Sequence, residues 1–209
     1  VSMGVHESQS RFYENIIGRS LPFVKAIFPK MQEFFPEQLK HVTAEQMYRA
    51  VNKVQPSLIR TEADELTYSL HVMVRYEKQL IDGSLEVKDI PEVWNRLYKE
   101  YLGVDVPDDR RGCLQDSHWS GGSFGYFPSY ALGSAYGAQM LCNMEKDFPV
   151  WDEVRAGKLT GVSAWLKEKV HQYGSLLTPG EIVKNACGDC DPTVYTDYLT
   201  EKYNKLYDL

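Results

Sequence analysis

Apolar residues recur at three- and four-residue steps along most of the chain, which is the spacing of one face of an α-helix. The first such segment covers residues 3–17 and ends at Gly18, a residue common after helix C-termini. A second begins near Ser20, with Pro29 predicted to kink or split it. The clearest repeat predicts a helix over residues 59–81. Its apolar positions are Ile59, Ala63, Leu66, Leu70, Met73 and Leu80.

Capping patterns mark where several helices begin. Thr43 with Gln46, and Thr178 with Glu181, have the spacing of a capping box. Asp89, followed by Pro91 and Glu92, predicts the start of a helix that ends at Gly103, and Asp191-Pro192 opens the last helix. Only residues 85–87 are left as a short strand or extended link. The sequence therefore predicts a mainly α fold with at most a minor β element.

Two further segments depart from the regular pattern. Residues 104–127 are rich in Gly, Asp, Ser and aromatic residues, which predicts a long structured loop of the kind that often carries function. After Pro128, small residues predict a helix that packs close to its neighbours, since close packing offsets the cost of helical glycine. The small residues are Ala131, Gly133, Ser134, Ala135, Gly137 and Ala138.

The composition adds limits on the class of protein. A chain of 209 residues, 43% hydrophobic with a formal charge of −6, is predicted to form one compact helical domain over residues 1–209, with no preference for nucleic acid or anionic membranes. We expect no signal peptide, and the sequence contains no apolar run of about 20 residues. Four scattered cysteines favour a reducing cytosol. The spacing of Cys187 and Cys190 is interpreted as incidental, because zinc needs two more ligands.

The first helix carries a candidate metal ligand. Glu7, Ser10, Arg11 and Glu14 share one helical face, so Glu7 either forms an ordinary ion pair or binds a metal. His6 points away from Glu7 on a helix, and the five histidines form no His-x-x-x-His pair. By itself the chain holds at best one third of a metal site.

Polar residues also recur within the segment 59–81. Arg60, Asp64, Thr67 and His71 fall on one face of the predicted helix. That face is either solvated or functional. In the second case Asp64 holds Arg60, whose planar fork matches the two oxygens of a carboxylate.

The long loop contains the remaining candidates. Asp116 is close enough in sequence to orient His118, which would then donate a hydrogen bond or a proton to a substrate. Tyr126 and Tyr130 offer two phenols that would stabilise an oxyanion. The alternative for all three rings is a structural role in the interior.

Five segments in order carry a family resemblance. They are HESQSR at residues 6–11, IRTEAD at 59–64, GCLQDSHW at 112–119, FGYFPSY at 124–130 and YLTEKY at 198–203. The first three resemble signature motifs of the carboxypeptidase Taq family of zinc metallocarboxypeptidases, and the other two extend the likeness over nearly the whole chain. The resemblance implies the C-terminal part of a zincin-type metallopeptidase fold.

The resemblance also assigns roles. It implies that Glu7 is the third zinc ligand, with His6 in its surroundings. The other two ligands and the general base belong to a His-Glu-x-x-His helix that this sequence lacks. Asp64 is expected to orient either Arg60 or a metal-bound imidazole, and the choice stays open.

The substrate-facing residues follow from the same motifs. Arg60 is expected to engage the substrate, with Gln115 and Asp116 as organisers around it. His118 and Tyr130 are the candidates for steadying the oxyanion or the scissile carbonyl, with Tyr126 as the less favoured phenol.

The resemblance predicts an enzyme that releases single residues from peptide C-termini with metal-activated water. The metal is expected to be one zinc ion, or another divalent metal such as cobalt, in the complete enzyme and absent from this fragment. We expect the fragment alone to be inactive, and the complete enzyme to be a cytoplasmic homodimer that includes an N-terminal part. The alternative is a stand-alone, non-catalytic helical binding module. Self-association of a severed half, against monodisperse behaviour of a true module, would discriminate the two.

Overall fold

The fold is known from a computed structural model that describes residues 3–75 and 77–209. In these ranges the chain is helical, without a β-strand. The α-helices are α1 (Gly4–Arg11), α2 (Leu21–Phe34), α3 (Ala44–Val51), α4 (Tyr68–Met73), α5 (Glu77–Ile81), α6 (Ile90–Leu102), α7 (Pro128–Asp147), α8 (Val150–Arg155), α9 (Thr160–Lys169), α10 (Pro179–Cys187) and α11 (Thr193–Tyr207). Shorter elements are a π-helix (Phe12–Ile17) and the 3₁₀ helices Arg60–Glu62, Val87–Asp89 and His171–Tyr173. The mainly α prediction is confirmed.

The chain divides into two compact units. The first comprises residues 1–52 and 132–209, and the second comprises residues 53–131. None of the helices in the described ranges combines the length and hydropathy that crossing a bilayer requires.

The first unit is a layered arrangement of helices. α2 packs against α3 and α8, while α10 packs against α1 and α9. Both capping boxes are present: Thr43 and Thr178 accept hydrogen bonds from the backbone N–H groups of Gln46 and Glu181, whose side chains accept in return. Because each cap uses only residues within one turn, both helix starts were predictable from local sequence.

Pro29 does not split α2, which runs without interruption from Leu21 to Phe34. The prediction of a split was wrong. Pro29 and Lys25, whose carbonyl loses its helical partner, both lie on the exposed side of the helix. Water can replace the missing hydrogen bond there.

The second unit has an aromatic core under α4 and α6. Trp94 and Tyr98 on α6 stack with ring centroids 5.3 Å apart, and Val74 and Leu102 complete this cluster. α6 ends at Gly103, whose φ of 69° favours glycine, as predicted. The Asp89 carboxylate makes no capping hydrogen bond, because Asp89 is already near-helical (φ −93°, ψ −5°) at the end of a 3₁₀ turn.

The predicted single helix over residues 59–81 is wrong. A 3₁₀ turn, α4 and α5 take its place, separated by non-helical residues. Burial also does not follow the predicted apolar stripe. Ala63 is buried, and Leu70 and Leu80 pack against the core, but Leu66 and Met73 are 39% and 58% exposed. The polar positions Arg60 and His71 are 5% and 0% exposed. Both faces of the segment therefore contribute to the interior.

Candidate functional site

Glu7 lies on α1 in the first unit with its side chain half-buried. Ser10, one turn later, donates through Oγ to Glu7 Oε2 at 3.1 Å and to the Glu7 carbonyl at 2.9 Å. On the predicted polar face of this segment, the ion pair does not involve Glu7: Arg11 Nη1 pairs with Glu14 Oε2, also at 3.1 Å. A carboxylate fixed by a neighbouring hydroxyl can supply one oxygen ligand to a metal.

α7 packs closely against the backbone of α1. A β-carbon at Gly133 would lie 2.7 Å from both the carbonyl carbon and the β-carbon of Glu7, and one at Gly137 would lie 3.3 Å from Ile16 Cδ1. Ser8 is fully buried on the same side. The predicted close packing of the small-residue helix is therefore present, and its partner is the helix that carries Glu7.

Gln9 and His6, two further polar residues of the HESQSR segment, differ in their contacts. Gln9 Oε1 lies 2.8 Å from His171 Nε2, and its amide nitrogen donates to Ser8 Oγ at 3.0 Å. His6 is exposed. Within residues 3–75 and 77–209, His, Cys, Asp and Glu side chains form no group of three that could hold a metal ion. These residues fit a metal through Glu7 alone, and its remaining ligands would have to come from elsewhere.

In the second unit, Arg60 is the centre of a buried polar cluster. Its Nη2 and Nε donate to the two oxygens of Asp116, at 2.8 and 3.3 Å, and its Nη1 donates to the Tyr68 hydroxyl at 2.8 Å. The guanidinium carbon lies 4.6 Å from the Tyr130 ring centroid and 5.4 Å from that of Phe127. Burial alone would lower the pKa of Arg60, but the hydrogen bond with Asp116 and the charge interactions with Tyr68, Asp116 and Tyr130 together outweigh burial, and the pKa rises. The arginine is permanently charged.

These bonds leave Arg60 with donors to spare. A guanidinium has five N–H groups, and three of them are used by Asp116 and Tyr68. Within the part of the chain that the structure describes, the other two, one on each terminal nitrogen, have no hydrogen-bond acceptor. These two N–H groups belong to the two terminal nitrogens of one planar fork, and such a fork can bind the two oxygens of a carboxylate.

Asp64 does not hold Arg60 in this structure. Its Oδ1 accepts from the Thr67 backbone N–H at 2.9 Å, and its Oδ2 accepts from the Thr67 hydroxyl at 2.8 Å and the Gln55 N–H at 3.1 Å. Asp64 thus shapes the turn that leads into α4, and Asp116 takes the place expected for it. Since Arg60, Asp64 and Thr67 are all buried, the alternative of a solvated polar face is wrong.

Gln115 connects the segment before Arg60 with the loop and α6. Its Oε1 accepts from the Arg60 backbone N–H at 2.9 Å, and its Nε2 donates to the Leu58 carbonyl at 2.9 Å and the Tyr98 hydroxyl at 3.3 Å. This placement agrees with an organising role. Neither hydrogen-bonding atom of the amide is spare.

His118 and the two tyrosines of the loop lie together. His118 Nε2 is 3.2 Å from the Tyr130 hydroxyl, while its Nδ1 is 4.0 Å from Asp116 Oδ1. The Tyr126 ring centroid lies 5.5 Å from that of His118 and 5.3 Å from that of Tyr130. Burial lowers the pKa of His118, and the charges of Arg60 and Arg75 lower it further, against the opposing effect of Asp116. His118 is therefore neutral at pH 7 and suited to hydrogen bonding.

Two residues of the second unit were missed by the sequence analysis. Arg75 is 1% exposed and hydrogen-bonds to Asp116, and the Glu77 carboxylate accepts from Trp119 Nε1 at 3.0 Å and from the Phe127 N–H at 3.2 Å. Arg75 lies four residues after His71 and so continues the spacing of the polar face that begins at Arg60. This spacing could have identified it. Nothing in the local sequence marks Glu77.

A cleft of about 720 Å³ lies in the first unit, between α2, α7, α8 and α11. Trp151, Tyr198 and Lys202 are among its lining residues, and none of the predicted site residues lines it. The candidate site is therefore defined by its hydrogen bonds and charges rather than by the size of a cleft.

Comparison with known proteins agrees with the motifs. A sequence profile described as carboxypeptidase Taq (M32) metallopeptidase matches residues 1–203. Carboxypeptidase 1 of Bacillus subtilis is 46% identical over 99% of this chain and 42% of its own length. Thermostable carboxypeptidase 1 of Pyrococcus furiosus is 42% identical over 97% of this chain and 41% of its own length.

A solved structure shows the same fold. The M32 carboxypeptidase from Deinococcus radiodurans R1 superimposes with a TM-score of 0.95 at 43% identity, covering 100% of this chain and 43% of that one. The chain thus spans about two fifths of the length of the curated relatives that it matches.

Proposed function

Because this chain belongs to the carboxypeptidase Taq (M32) family of metallopeptidases, we propose that it is the C-terminal part of an enzyme that releases single residues from peptide C-termini. The observation that carries the proposal is the Arg60 fork, with two N–H groups left over beside His118 and Tyr130. A free terminal carboxylate distinguishes the end of a peptide from its middle, and a planar cation is the group that recognises it.

In this proposal each residue has a defined task. Arg60 binds the terminal carboxylate, while Asp116 and Gln115 hold Arg60 and the segment before it. Only 6% of the Arg60 side chain is exposed, so its hydrogen bonds to a carboxylate would form with little competing water. Neutral His118 and Tyr130 act as a pair: the imidazole Nε2–H donates to the Tyr130 oxygen, the Tyr130 hydroxyl donates to the scissile carbonyl or the oxyanion, and Tyr126 is the second phenol.

Glu7 is proposed to supply one carboxylate oxygen to a zinc ion, or to another divalent metal such as cobalt. When bound, the metal lowers the pKa of a water molecule and polarises the scissile carbonyl. The sequence contains no His-x-x-x-His pair, so the other ligands are proposed to come from an N-terminal part of the same enzyme. We therefore propose that these 209 residues alone are inactive.

The setting of the complete enzyme is also a proposal. We infer a homodimer in the cytoplasm, where the four cysteines, all free in this structure, remain reduced. No membrane or nucleic-acid partner is proposed.

Two substitutions in the complete enzyme test the assignments. Glu7→Gln should lose bound metal, measured by metal analysis of the purified protein. Arg60→Gln should keep the metal and lower kcat/KM by about 10- to 100-fold, the loss typical of a charge-assisted hydrogen bond. Arg96→Gln, which removes an exposed arginine paired with Glu100, is the matched control and should change neither property. Loss of metal from Arg60→Gln with full activity of Glu7→Gln would refute the assignments.

A further inference from the structure

Arg75 is a second arginine beside the Arg60–Asp116 pair, and its position is fixed by aromatic packing. Its side chain is 1% exposed. The guanidinium carbon lies 4.7 Å from the Phe127 ring centroid and 5.0 Å from that of Trp94. A cation between two buried rings has little freedom to change rotamer.

Each nitrogen of the Arg75 guanidinium donates a hydrogen bond to the protein. Its Nε donates to Asp116 Oδ2 at 3.0 Å, and its Nη2 donates to the same oxygen and to Gln115 Oε1 at 3.2 Å. Its Nη1 donates to the His71 carbonyl. With every nitrogen of the guanidinium engaged, Arg75 is placed to hold Asp116 and Gln115 rather than to bind a ligand.

Asp116 is therefore shared between two arginines. Arg60 binds both carboxylate oxygens, and Arg75 binds only Oδ2. Arg60 itself is held by the Tyr68 hydroxyl and by the rings of Tyr130 and Phe127, but these contacts do not fix the plane of the Asp116 carboxylate. The guanidinium of Arg75 does so, because it anchors Oδ2 from a second element of the fold.

Charge balance does not explain the arrangement. Asp64 and Glu77 in the same unit are also buried carboxylates, bonded to backbone N–H groups and to the side chains of Thr67 and Trp119. The unit thus contains at least three buried or mostly buried carboxylates, Asp116 included, for these two buried arginines. Arg75 therefore supplies no excess of positive charge. Burial alone would raise the pKa of Asp116, and the charge and hydrogen bonds of Arg75 help Arg60 to lower it, while those same bonds orient the carboxylate.

We propose that Arg75 is a positioning residue for Arg60: by fixing the plane of the Asp116 carboxylate, it sets the direction of the two N–H groups that Arg60 offers to a peptide's terminal carboxylate. The identity of that ligand rests on the proposed function, whereas the orientation of Arg60 does not.

The test compares the affinities of the complete, metal-loaded enzyme for N-acetyl-phenylalanine and N-acetyl-phenylalaninamide. The two ligands differ in the terminal carboxylate. Arg75→Gln should reduce the preference for the acid by about tenfold or more. The reason is that misdirected N–H groups of Arg60 would lose about one charge-assisted hydrogen bond to the carboxylate. Arg75→Lys keeps the charge without the fork and should restore part of the preference. A preference unchanged in Arg75→Gln overturns the proposal.

Leu102→Ala is the matched control for a purely structural effect. Leu102 is a buried residue of the same core as Trp94, it is not one of the two rings that flank Arg75, and its side chain makes no hydrogen bond. This variant should be less stable than the wild type while keeping the wild-type preference for the acid. Equal loss of preference in Leu102→Ala and Arg75→Gln would mean that Arg75 acts only through stability, against the proposal.

A second measurement separates this proposal from the proposed function. Solvent exchange of the Arg60 Nε–H group, followed by ¹⁵N NMR and assigned with Arg60→Gln, reports its bond to Asp116 without any ligand. Arg75→Gln should speed this exchange at least severalfold, and unchanged exchange overturns the positioning role. If the wild type shows no preference for the acid while exchange still responds to Arg75, the proposed ligand is wrong and the positioning role stands.

Discussion

Gly133 on α7 faces the backbone of Glu7 so closely that a β-carbon there would lie 2.7 Å from the Glu7 carbonyl carbon. The nearest atoms also include the Ser8 backbone nitrogen, at 2.9 Å. Backbone atoms cannot turn aside as the end of a side chain can. The candidate metal ligand is thus positioned by the absence of a side chain on another helix.

Gly133→Ala is accordingly expected to lower the free energy of unfolding by about 1–3 kcal/mol, the cost of overpacking. The gain of about 1 kcal/mol in helix propensity offsets part of this loss. In the complete enzyme the variant should also bind metal more weakly, because α1 must shift. Denaturant unfolding and metal analysis check the two effects.

Gly137→Ala is the matched control on the same helix. Its new β-carbon would meet the end of a side chain, Ile16 Cδ1, at 3.3 Å and no backbone atom closer than 3.6 Å, so this variant should have a smaller effect than Gly133→Ala in both measurements. Equal effects of the two substitutions would contradict the role given to Gly133.

His71 should make the protein sensitive to acid. It is fully buried, and burial, with the nearby charge of Arg75, lowers its pKa from 6.5 to about 4. Between these values the unfolded chain binds a proton that the folded chain does not. The free energy of unfolding therefore falls as the pH is lowered from 6.5 towards 4, by up to about 1.4 kcal/mol per pH unit.

His71→Asn tests this contribution. The amide nitrogen of the new asparagine can take the place of the imidazole Nδ1 of His71, which lies 3.1 Å from the Tyr98 hydroxyl. Urea unfolding at several pH values should show a shallower decline than in the wild type, whereas His41→Gln, which removes an exposed histidine, should leave the decline as it is. An identical decline in His71→Asn would refute the prediction.

Asp64 is expected to act on stability and not on ligand binding. Asp64→Ala leaves the Thr67 and Gln55 N–H groups without their acceptor, at a cost of about 1–3 kcal/mol each when they remain buried. Affinity of the folded protein for N-acetyl-phenylalanine should stay within about threefold of wild type, since no contact with Arg60 is removed. An affinity loss as large as that of Arg60→Gln would show that Asp64 contributes to ligand binding, against this prediction. Asp82→Ala, which removes an exposed acceptor of the Ser84 N–H, is the control and should change the free energy of unfolding only slightly.

Glu77 fastens both ends of the loop that carries Phe124 and Tyr126, through Trp119 and Phe127. Glu77→Gln has only one acceptor oxygen for two donors, so one end of the loop should be released. Amide hydrogen exchange of residues 120–126 should become faster by about tenfold, the scale of one lost hydrogen bond to a charged group. Glu62→Gln, an exposed change in the same unit, should leave the exchange of this loop unaltered. Protection equal to wild type in Glu77→Gln would show that the loop is held by other contacts.

Sequence alone determined the features that depend on neighbours within one or two turns. The capping boxes at Thr43 and Thr178 and the end of α6 at Gly103 were predicted correctly, because their atoms lie within a few residues of one another. The ordered motifs also identified the family. Arg60, Gln115, Asp116, His118 and Tyr130 were selected by those motifs, and the structure places them together.

Tertiary structure alone decided which positions of residues 59–81 are buried and which residue holds Arg60. The local pattern favoured a helix with an apolar inner face and Asp64 beside Arg60. The observed partner, Asp116, is 56 residues away, and the carboxylate that fastens the loop comes from Glu77, 50 residues before Phe127. A buried polar group must find a hydrogen-bond partner wherever the fold supplies one, and periodicity carries no information about partners so distant in the chain.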